Sequence, residues 1–152
     1  MVIKKESSPA TTCRDNITAK EAVVKKGYRE IHRGEVYIVD LGTDKDYCEQ
    51  QGIRPVVIMQ NDIGNCFSAT VTIVPMTSVM KKVTLPTHYV IQNADFLKKK
   101  SMALGESLRV IDKRRIIGKN PVGTLEENDM NGVCEAVKEN LGFYLPIVNE
   151  LP

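Results

Sequence analysis

The sequence predicts a mainly β (α+β) fold, a small barrel with one amphipathic helix at its C-terminal end. Its 152 residues are enough for one domain with a core of its own. Between Arg33 and Ile111, short segments rich in β-branched residues recur at close intervals with turn residues between them. From Met130 onward the apolar positions change to helical spacing. The 42% hydrophobic and 26% charged residues are an ordinary globular composition.

The start of the chain differs from the rest, and we predict that residues 1–32 form an extension to a domain spanning 33–152. Thr18 and Glu21 match a capping box, which predicts a short helix over Ala19–Lys26. This helix has few apolar positions and can bury little surface. We therefore expect the extension to be peripheral.

Several strands follow in the domain, each rich in β-branched or other apolar residues. The predicted strands are Glu35–Leu41, Arg54–Gln60, Ala69–Pro75, His88–Ile91, Ser101–Leu104 and Ser107–Ile111, the last two forming one strand or two. The polar loop 42–52 is longer than a hairpin turn and typical of a binding loop. Residues 61–65 have the composition of a turn.

The C-terminal segment has helical periodicity. Thr124 and Glu127 match a second capping box, and Gly142 ends the pattern. The apolar residues at helical spacing are Met130, Val133, Cys134, Val137 and Leu141. This pattern predicts an amphipathic helix that packs one face on the barrel.

Basic residues are concentrated in the middle of the chain, although the formal net charge is only +2. Residues 33–119 hold thirteen Lys or Arg against nine acidic residues, whereas residues 120–152 hold one against six. This asymmetry permits an anionic ligand on the middle segment and a solvated acidic helix at the end.

Membrane and metal-dependent classes are disfavoured. No apolar run approaches the roughly 20 residues of a membrane span, and no signal-peptide pattern opens the chain, so we expect a cytosolic protein. The four cysteines form no CxxC pair and the chain has two histidines. An ordinary zinc site is therefore not expected.

One segment carries a specific motif. Residues 48–57, CEQQGIRPVV, resemble the signature of the MazF/PemK family of toxin endoribonucleases, in which Ser-Glu-Gln-x-Gly-x-Arg-Pro leads into a strand. The similarity spans about 33–141, and its further blocks are residues 58–65, 73–78, 85–88 and 108–114. Several ordered blocks make this match far more specific than Gly-x-Arg-Pro alone.

The resemblance implies a small SH3-like barrel of the MazF/CcdB type that is usually a homodimer. It implies a toxin that cuts single-stranded RNA at short sequences without a metal or other cofactor. In that family the RNA's own 2′-hydroxyl attacks, leaving a 2′,3′-cyclic phosphate and a 5′-hydroxyl. A MazE-like antitoxin occupies the RNA groove and silences the enzyme.

Three residues within the family's blocks are predicted to be catalytic. Arg54 matches the family's arginine, and its guanidinium can hold two phosphate oxygens but is too weak an acid to serve as a base. Thr77 matches the catalytic threonine, whose hydroxyl can bind the scissile phosphate. Glu49 is the proton acceptor that we predict. His88 is an alternative base, although its Leu-Pro-Thr-His block favours a packing role.

RNA contacts are predicted around these positions. The predicted RNA-binding residues are Cys48, Gln50, Gln51, Phe67, Ser78, Lys81, Lys82, Ser107 and Arg109. Further basic residues that could follow an RNA backbone are Lys98, Lys99, Lys100, Lys113, Arg114 and Arg115. We expect at most half of the basic side chains to touch RNA. Tyr37, Tyr47 and Phe67 are candidates for base stacking, and Tyr37 fits the core equally well.

The sequence departs from the family pattern at three positions. Cys48 stands where serine is usual, and Ser107 and Val110 replace a glutamine and a threonine. These losses of hydrogen-bonding groups predict a changed cleavage sequence and leave a non-catalytic RNA-binding barrel as an alternative. A CcdB-like gyrase-binding toxin is a weaker alternative, because that class uses a tryptophan near its C-terminus and this chain has none.

Overall fold

Strand β3 lies at the centre of the sheet. The computed structural model describes residues 30–143. In chain order, the helices and strands are β1 (Glu35–Asp40), β2 (Ile53–Ile58), α1 (Asp62–Phe67), β3 (Thr70–Thr77), β4 (His88–Val90), β5 (Met102–Leu104), β6 (Arg109–Asp112), β7 (Ile116–Ile117), β8 (Gly123–Thr124) and α2 (Glu127–Leu141). One edge of β3 pairs with β2, and the other pairs first with β6 and then with β5. The antiparallel sheet curls into a half-barrel, which confirms the mainly β prediction.

The sheet is buried on both faces. Successive residues of β1 alternate between two hydrophobic clusters: Tyr37 and Val39 belong to one, and Val36 to the other. The alternation follows from the strand period, which points neighbouring side chains to opposite faces. The second cluster is covered by Val133 and Val137 of α2. The predicted amphipathic helix therefore does pack one face on the sheet.

A buried carboxylate anchors α2. Asp129 is 0% exposed, and its Oδ1 accepts hydrogen bonds from Tyr89 Oη at 3.0 Å and from Gln92 N at 2.9 Å. Its Oδ2 accepts from Asn93 N at 2.8 Å. One turn along, a Cβ on Gly132 would lie 2.0 Å from the Tyr89 ring, so only glycine allows this close approach. The helix is thus held against β4 by both polar contacts and shape.

Three local predictions were wrong. Thr124 does not cap α2, because it pairs with Glu35 in β8 and the chain stays extended until Leu125 N donates to Gly34 O at 3.0 Å. The N-cap is Glu126, which makes no side-chain capping bond. The turn at 61–65 is the start of helix α1, whose N-cap side chain accepts from Gly64 N. Ser107 lies in a 3₁₀ turn, Gly105–Ser107, before β6.

One described residue before the predicted boundary at residue 33 is part of the core. Ile31 is 2% exposed and belongs to the first hydrophobic cluster, so this residue packs with the domain although it precedes Arg33. The helix predicted over Ala19–Lys26 lies outside the described residues. Within residues 30–143, no helix is both long and apolar enough to cross a membrane.

Candidate active site

Arg54 is the second residue of β2, and the loop before it holds its guanidinium. Nε donates to Gln51 O at 2.8 Å and Nη1 donates to Gln50 Oε1 at 2.5 Å. The side chain is partly buried, and this desolvation lowers the pKa of Arg54. A guanidinium fixed in this way is oriented before any ligand arrives.

Thr77 ends the neighbouring strand. The β2–β3 register pairs Val56 with Pro75, and the same register continued by two residues brings Arg54 level with Thr77. Thr77 Oγ1 accepts a hydrogen bond from Val79 N at 3.1 Å. Because a hydroxyl also donates, its hydrogen can still bind a phosphate oxygen.

These two residues line one cavity of about 720 Å³, which we call the arginine–threonine cavity. Its other polar side chains include Ser78, Lys98 and Lys99, which follow β3 or precede β5. The apolar wall is formed by Ile38, Ile53, Pro55, Met76, Val79, Phe96, Leu97 and Val122. Cationic groups beside an apolar wall suit a phosphodiester with a base attached.

A second cavity of about 690 Å³ lies between the 42–52 loop and the turn before β6. Glu49 Oε2 lies 3.4 Å from Arg109 Nη1, which also donates to Gln50 O at 3.4 Å. Cys48 and Ser107 line the same space. We call it the Glu49–Arg109 cavity.

Gln50 joins the two cavities. Its side-chain oxygen accepts from Arg54, and its backbone oxygen accepts from Arg109. Glu49 therefore lies in the adjoining cavity and not among the residues that line the arginine–threonine cavity. Its side chain is 70% exposed and faces Arg109.

Gln51 braces the loop. Its Nε2 donates to Tyr47 O at 3.0 Å and also to Asp44 O, and its Oε1 accepts from Asp44 N at 2.9 Å. The amide is thus hydrogen-bonded inside the loop, and its contact with RNA stays a prediction. Tyr47 is 65% exposed and lines the Glu49–Arg109 cavity, where it is open to a base.

Some residues considered for RNA binding do not line either of these two cavities. Phe67 is exposed but lies before the Thr70 end of β3, and the strand extends about 23 Å from Thr70 to Thr77 at 3.3 Å per residue. Lys113 is buried, donates to Asn65 O and has a pKa lowered by burial. Tyr37 is also buried, so it belongs to the core and cannot stack on a base. Arg114 pairs with Asp112 at 2.7 Å, beside the Thr70 end of β3.

The loop between β3 and β4, residues 78–87, contains Lys81 and Lys82, both exposed. It follows Thr77 directly but only Ser78 and Val79 of it line the arginine–threonine cavity. The sequence reasoning missed the apolar wall and the pairing of Glu106 with His88 at 2.8 Å. No local signal could have found them, because each depends on residues distant along the chain.

Taken together, the fold and the cavities define a small, mainly β protein with a cationic site suited to a phosphodiester. The family model described as PemK-like, MazF-like toxin of type II toxin-antitoxin system matches residues 32–141. Endoribonuclease MazF of Staphylococcus saprophyticus is 39% identical over 115 residues, covering 75% of this chain and 93% of that protein. The chain therefore belongs to the PemK/MazF family, and it is an endoribonuclease toxin of a toxin–antitoxin system.

Solved structures agree on the fold. An endoribonuclease in complex with its cognate antitoxin, from a mycobacterial species, has a TM-score of 0.62 at 24% identity, over 76% of this chain and 99% of the other. MazF from Deinococcus radiodurans has a TM-score of 0.63 at 18% identity, over 74% and 96%. These likenesses show the fold alone.

Proposed function

We propose that this toxin cleaves single-stranded RNA, such as mRNA, at selected sequences by a metal-independent reaction of the RNA's own 2′-hydroxyl. The observation that supports this most is the placement of Arg54 and Thr77 on neighbouring strands of one cavity. A cation and a hydroxyl donor at one phosphate are what such a reaction needs from its enzyme.

In the proposed reaction, the 2′-oxygen forms a bond to phosphorus while the bond from phosphorus to the 5′-oxygen breaks. The proton of the 2′-hydroxyl passes to an acceptor, and the leaving 5′-oxygen receives a proton. Arg54 holds the non-bridging oxygens and stabilises the added negative charge of the transition state. Thr77 donates to one of these oxygens. The products are a 2′,3′-cyclic phosphate and a 5′-hydroxyl.

Glu49 is the proton acceptor that we propose, with a condition set by the geometry. Its carboxylate faces Arg109 in the adjoining cavity, so bound RNA must draw it across Gln50 towards the phosphate held by Arg54. Its exposed position gives it the freedom to move. If RNA leaves it beside Arg109, Glu49 acts in RNA binding instead, and the pH profile of a Glu49→Gln variant distinguishes the two roles.

The RNA path that we propose runs through both cavities. Cys48, Gln50, Ser107 and Arg109 line the Glu49–Arg109 cavity, and Ser78 lies beside Thr77. Lys81 and Lys82 on the adjoining loop would contact the backbone beyond. Bases bound in the Glu49–Arg109 cavity would set the cleavage sequence.

We also propose a MazE-like antitoxin that covers this path, and a homodimeric toxin that acts in the cytosol, where its RNA is. The mycobacterial relative was solved in complex with its cognate antitoxin, which supports such a partner here. An acidic, partly apolar segment would suit Lys98, Lys99 and the apolar wall of the arginine–threonine cavity.

The test is incubation of the purified protein with a long single-stranded RNA in EDTA, followed by mapping of the RNA ends. We expect discrete cuts with cyclic-phosphate ends, lost in Arg54→Ala and Thr77→Ala and kept in the matched control Arg114→Ala. Folded wild-type protein that binds RNA without cutting it would support the non-catalytic alternative. Cutting that needs a divalent ion would overturn the metal-independent reaction.

A further inference from the structure

The His88 ring is held between two hydrogen-bond acceptors. Its Nδ1 lies 2.9 Å from Lys82 O, and its Nε2 lies 2.8 Å from Glu106 Oε1. The ring is 8% exposed. A carbonyl and an ionised carboxylate only accept hydrogen bonds, and a neutral imidazole has a single N–H. Both contacts are therefore satisfied together only when the ring carries two protons.

The two acceptors belong to different parts of the molecule. Lys82 lies in the 78–87 loop, where its φ of +52° is in the left-handed region that a lysine rarely adopts. Glu106 lies in the Gly105–Ser107 turn, which borders the Glu49–Arg109 cavity. The ring thus joins the loop that follows Thr77 to the turn beside Arg109.

The loop is linked to the arginine–threonine cavity at its other end. Val79 N donates to Thr77 Oγ1, and Val79 and Ser78 line that cavity. Inside the loop, Leu85 N donates to Lys82 O at 3.0 Å. The carbonyl that His88 binds is therefore also the acceptor that holds the loop's own turn, and loss of the His88 contact would loosen it.

We infer that His88 is a positioning residue whose doubly protonated ring fastens the 78–87 loop to the Gly105–Ser107 turn, and that loss of one proton releases one of the two ends. Histidine is the side chain that ordinarily changes charge between about pH 5 and 8. The inference is therefore tested over this range of pH. Only its consequence for cleavage rests on the proposed function.

The charged groups around the ring are consistent with this role. Among the described residues, Glu106 is the titratable group in contact with it. The helix packed against β4 offers Asp129, whose oxygens accept from Tyr89 and from the backbone of Gln92 and Asn93. Farther along that helix, Glu135 is paired with Lys138 at 2.7 Å.

Hydrogen exchange in the absence of RNA tests the inference directly. The amides of Leu85 and His88 donate within the loop, so their protection reports its opening. After correction for intrinsic exchange, we expect wild-type protection to fall roughly tenfold as the pH rises from about 5 to 8, the effect of losing one hydrogen bond from a charged group.

Two variants and a control make the test specific. In Glu106→Gln, the amide can donate to a neutral Nε2, so the pH dependence should disappear while protection stays high. In His88→Gln, one amide reaches only one acceptor, so protection should be low at every pH. His32→Gln removes the chain's other histidine, which lies 3.5 Å from Glu30 and 3.8 Å from Asp62, and should keep the wild-type profile.

Wild-type protection that does not change with pH would overturn the inference, as would an unchanged profile in Glu106→Gln. For cleavage, we expect His88→Gln to raise the KM at low pH and to converge with wild type as the pH rises. Absence of any RNA cleavage would count against the proposed function while the exchange data still decide the role of His88.

Discussion

The arginine–threonine cavity and the Glu49–Arg109 cavity lie side by side but are built in different ways. In the first, Arg54 and Thr77 are strand residues whose relative position follows from the β2–β3 register. In the second, Glu49 comes from a loop and Arg109 from the start of β6, and the Gln50–Arg109 contact, between residues 59 positions apart, helps to close the cavity. The shape of the first cavity is therefore set by strand pairing, and the shape of the second by how the 42–52 loop folds over the start of β6.

This difference suits two separate tasks. Groups that stabilise a transition state must be held in position to within fractions of an ångström, which paired strands achieve. Groups that distinguish one RNA sequence from another can change among relatives when they lie on loops. The departures from the family pattern at Cys48 and Ser107 both line the loop-built cavity. Changes in the strand-built cavity should therefore reduce turnover, and changes in the loop-built cavity should alter binding and sequence choice.

The largest effect is expected from Arg54→Ala. It removes the cation at the phosphate and should lower kcat by about 10² to 10³-fold with little change in cleavage sequence. Arg54→Lys should recover only part of this, because an ammonium cannot bind two oxygens in the same way. Single-turnover cleavage of a defined RNA measures it. A loss of only a few fold would contradict the assignment of transition-state stabilisation to the strand-built cavity.

The next largest effect is expected from Glu49→Gln. This variant tests whether the Glu49 carboxylate accepts a proton in the arginine–threonine cavity or binds RNA in the Glu49–Arg109 cavity. If the Glu49 carboxylate is the proton acceptor, its loss should lower kcat about 100-fold and abolish the rise of rate with pH on the acidic side. Asp46→Asn, an exposed carboxylate in the same loop, is the matched control and should leave the profile unchanged. A raised KM with kcat and pH profile intact would instead assign Glu49 to RNA binding.

Thr77→Val sharpens the role of the hydroxyl. Valine has nearly the same shape but cannot donate to the phosphate or accept from Val79 N. We expect kcat to fall roughly tenfold, the size of one hydrogen bond to a charged group, and Thr77→Ser to restore most of it. A wild-type rate for Thr77→Val would mean that only the shape of Thr77 matters.

Cys48→Ser should have the smallest effect. It restores the residue usual in the family at an exposed position of the loop-built cavity. The rate should change by less than about twofold, as for most surface substitutions, while the preferred cleavage sequence shifts. Mapping of cut sites in a long RNA compares the two proteins. An unchanged sequence preference with a large loss of kcat would indicate that Cys48 acts in catalysis.

Much of this molecule follows from local sequence. β-branched segments predict the main strands, because such side chains fit a pleated surface that is buried on both faces. The helical spacing of Val133 and Val137 predicts α2, and Gly142 ends it with a φ of +67° that glycine adopts at no steric cost. The Gly-x-Arg-Pro block and its neighbours predict Arg54 and Thr77 as site residues, since motif positions lie within short stretches of chain.

Other features depend on contacts between residues that are distant along the chain. Thr124 satisfies a capping pattern but pairs with Glu35 in a strand, and the basic Lys113 is buried against Asn65. Glu49 belongs to the motif of Arg54 yet faces Arg109, because the long loop folds back onto β6. His88 in β4 meets Glu106 in the turn that follows the paired strand β5. Local propensity does not predict such long-range contacts, because the curl of the sheet determines which loops come together.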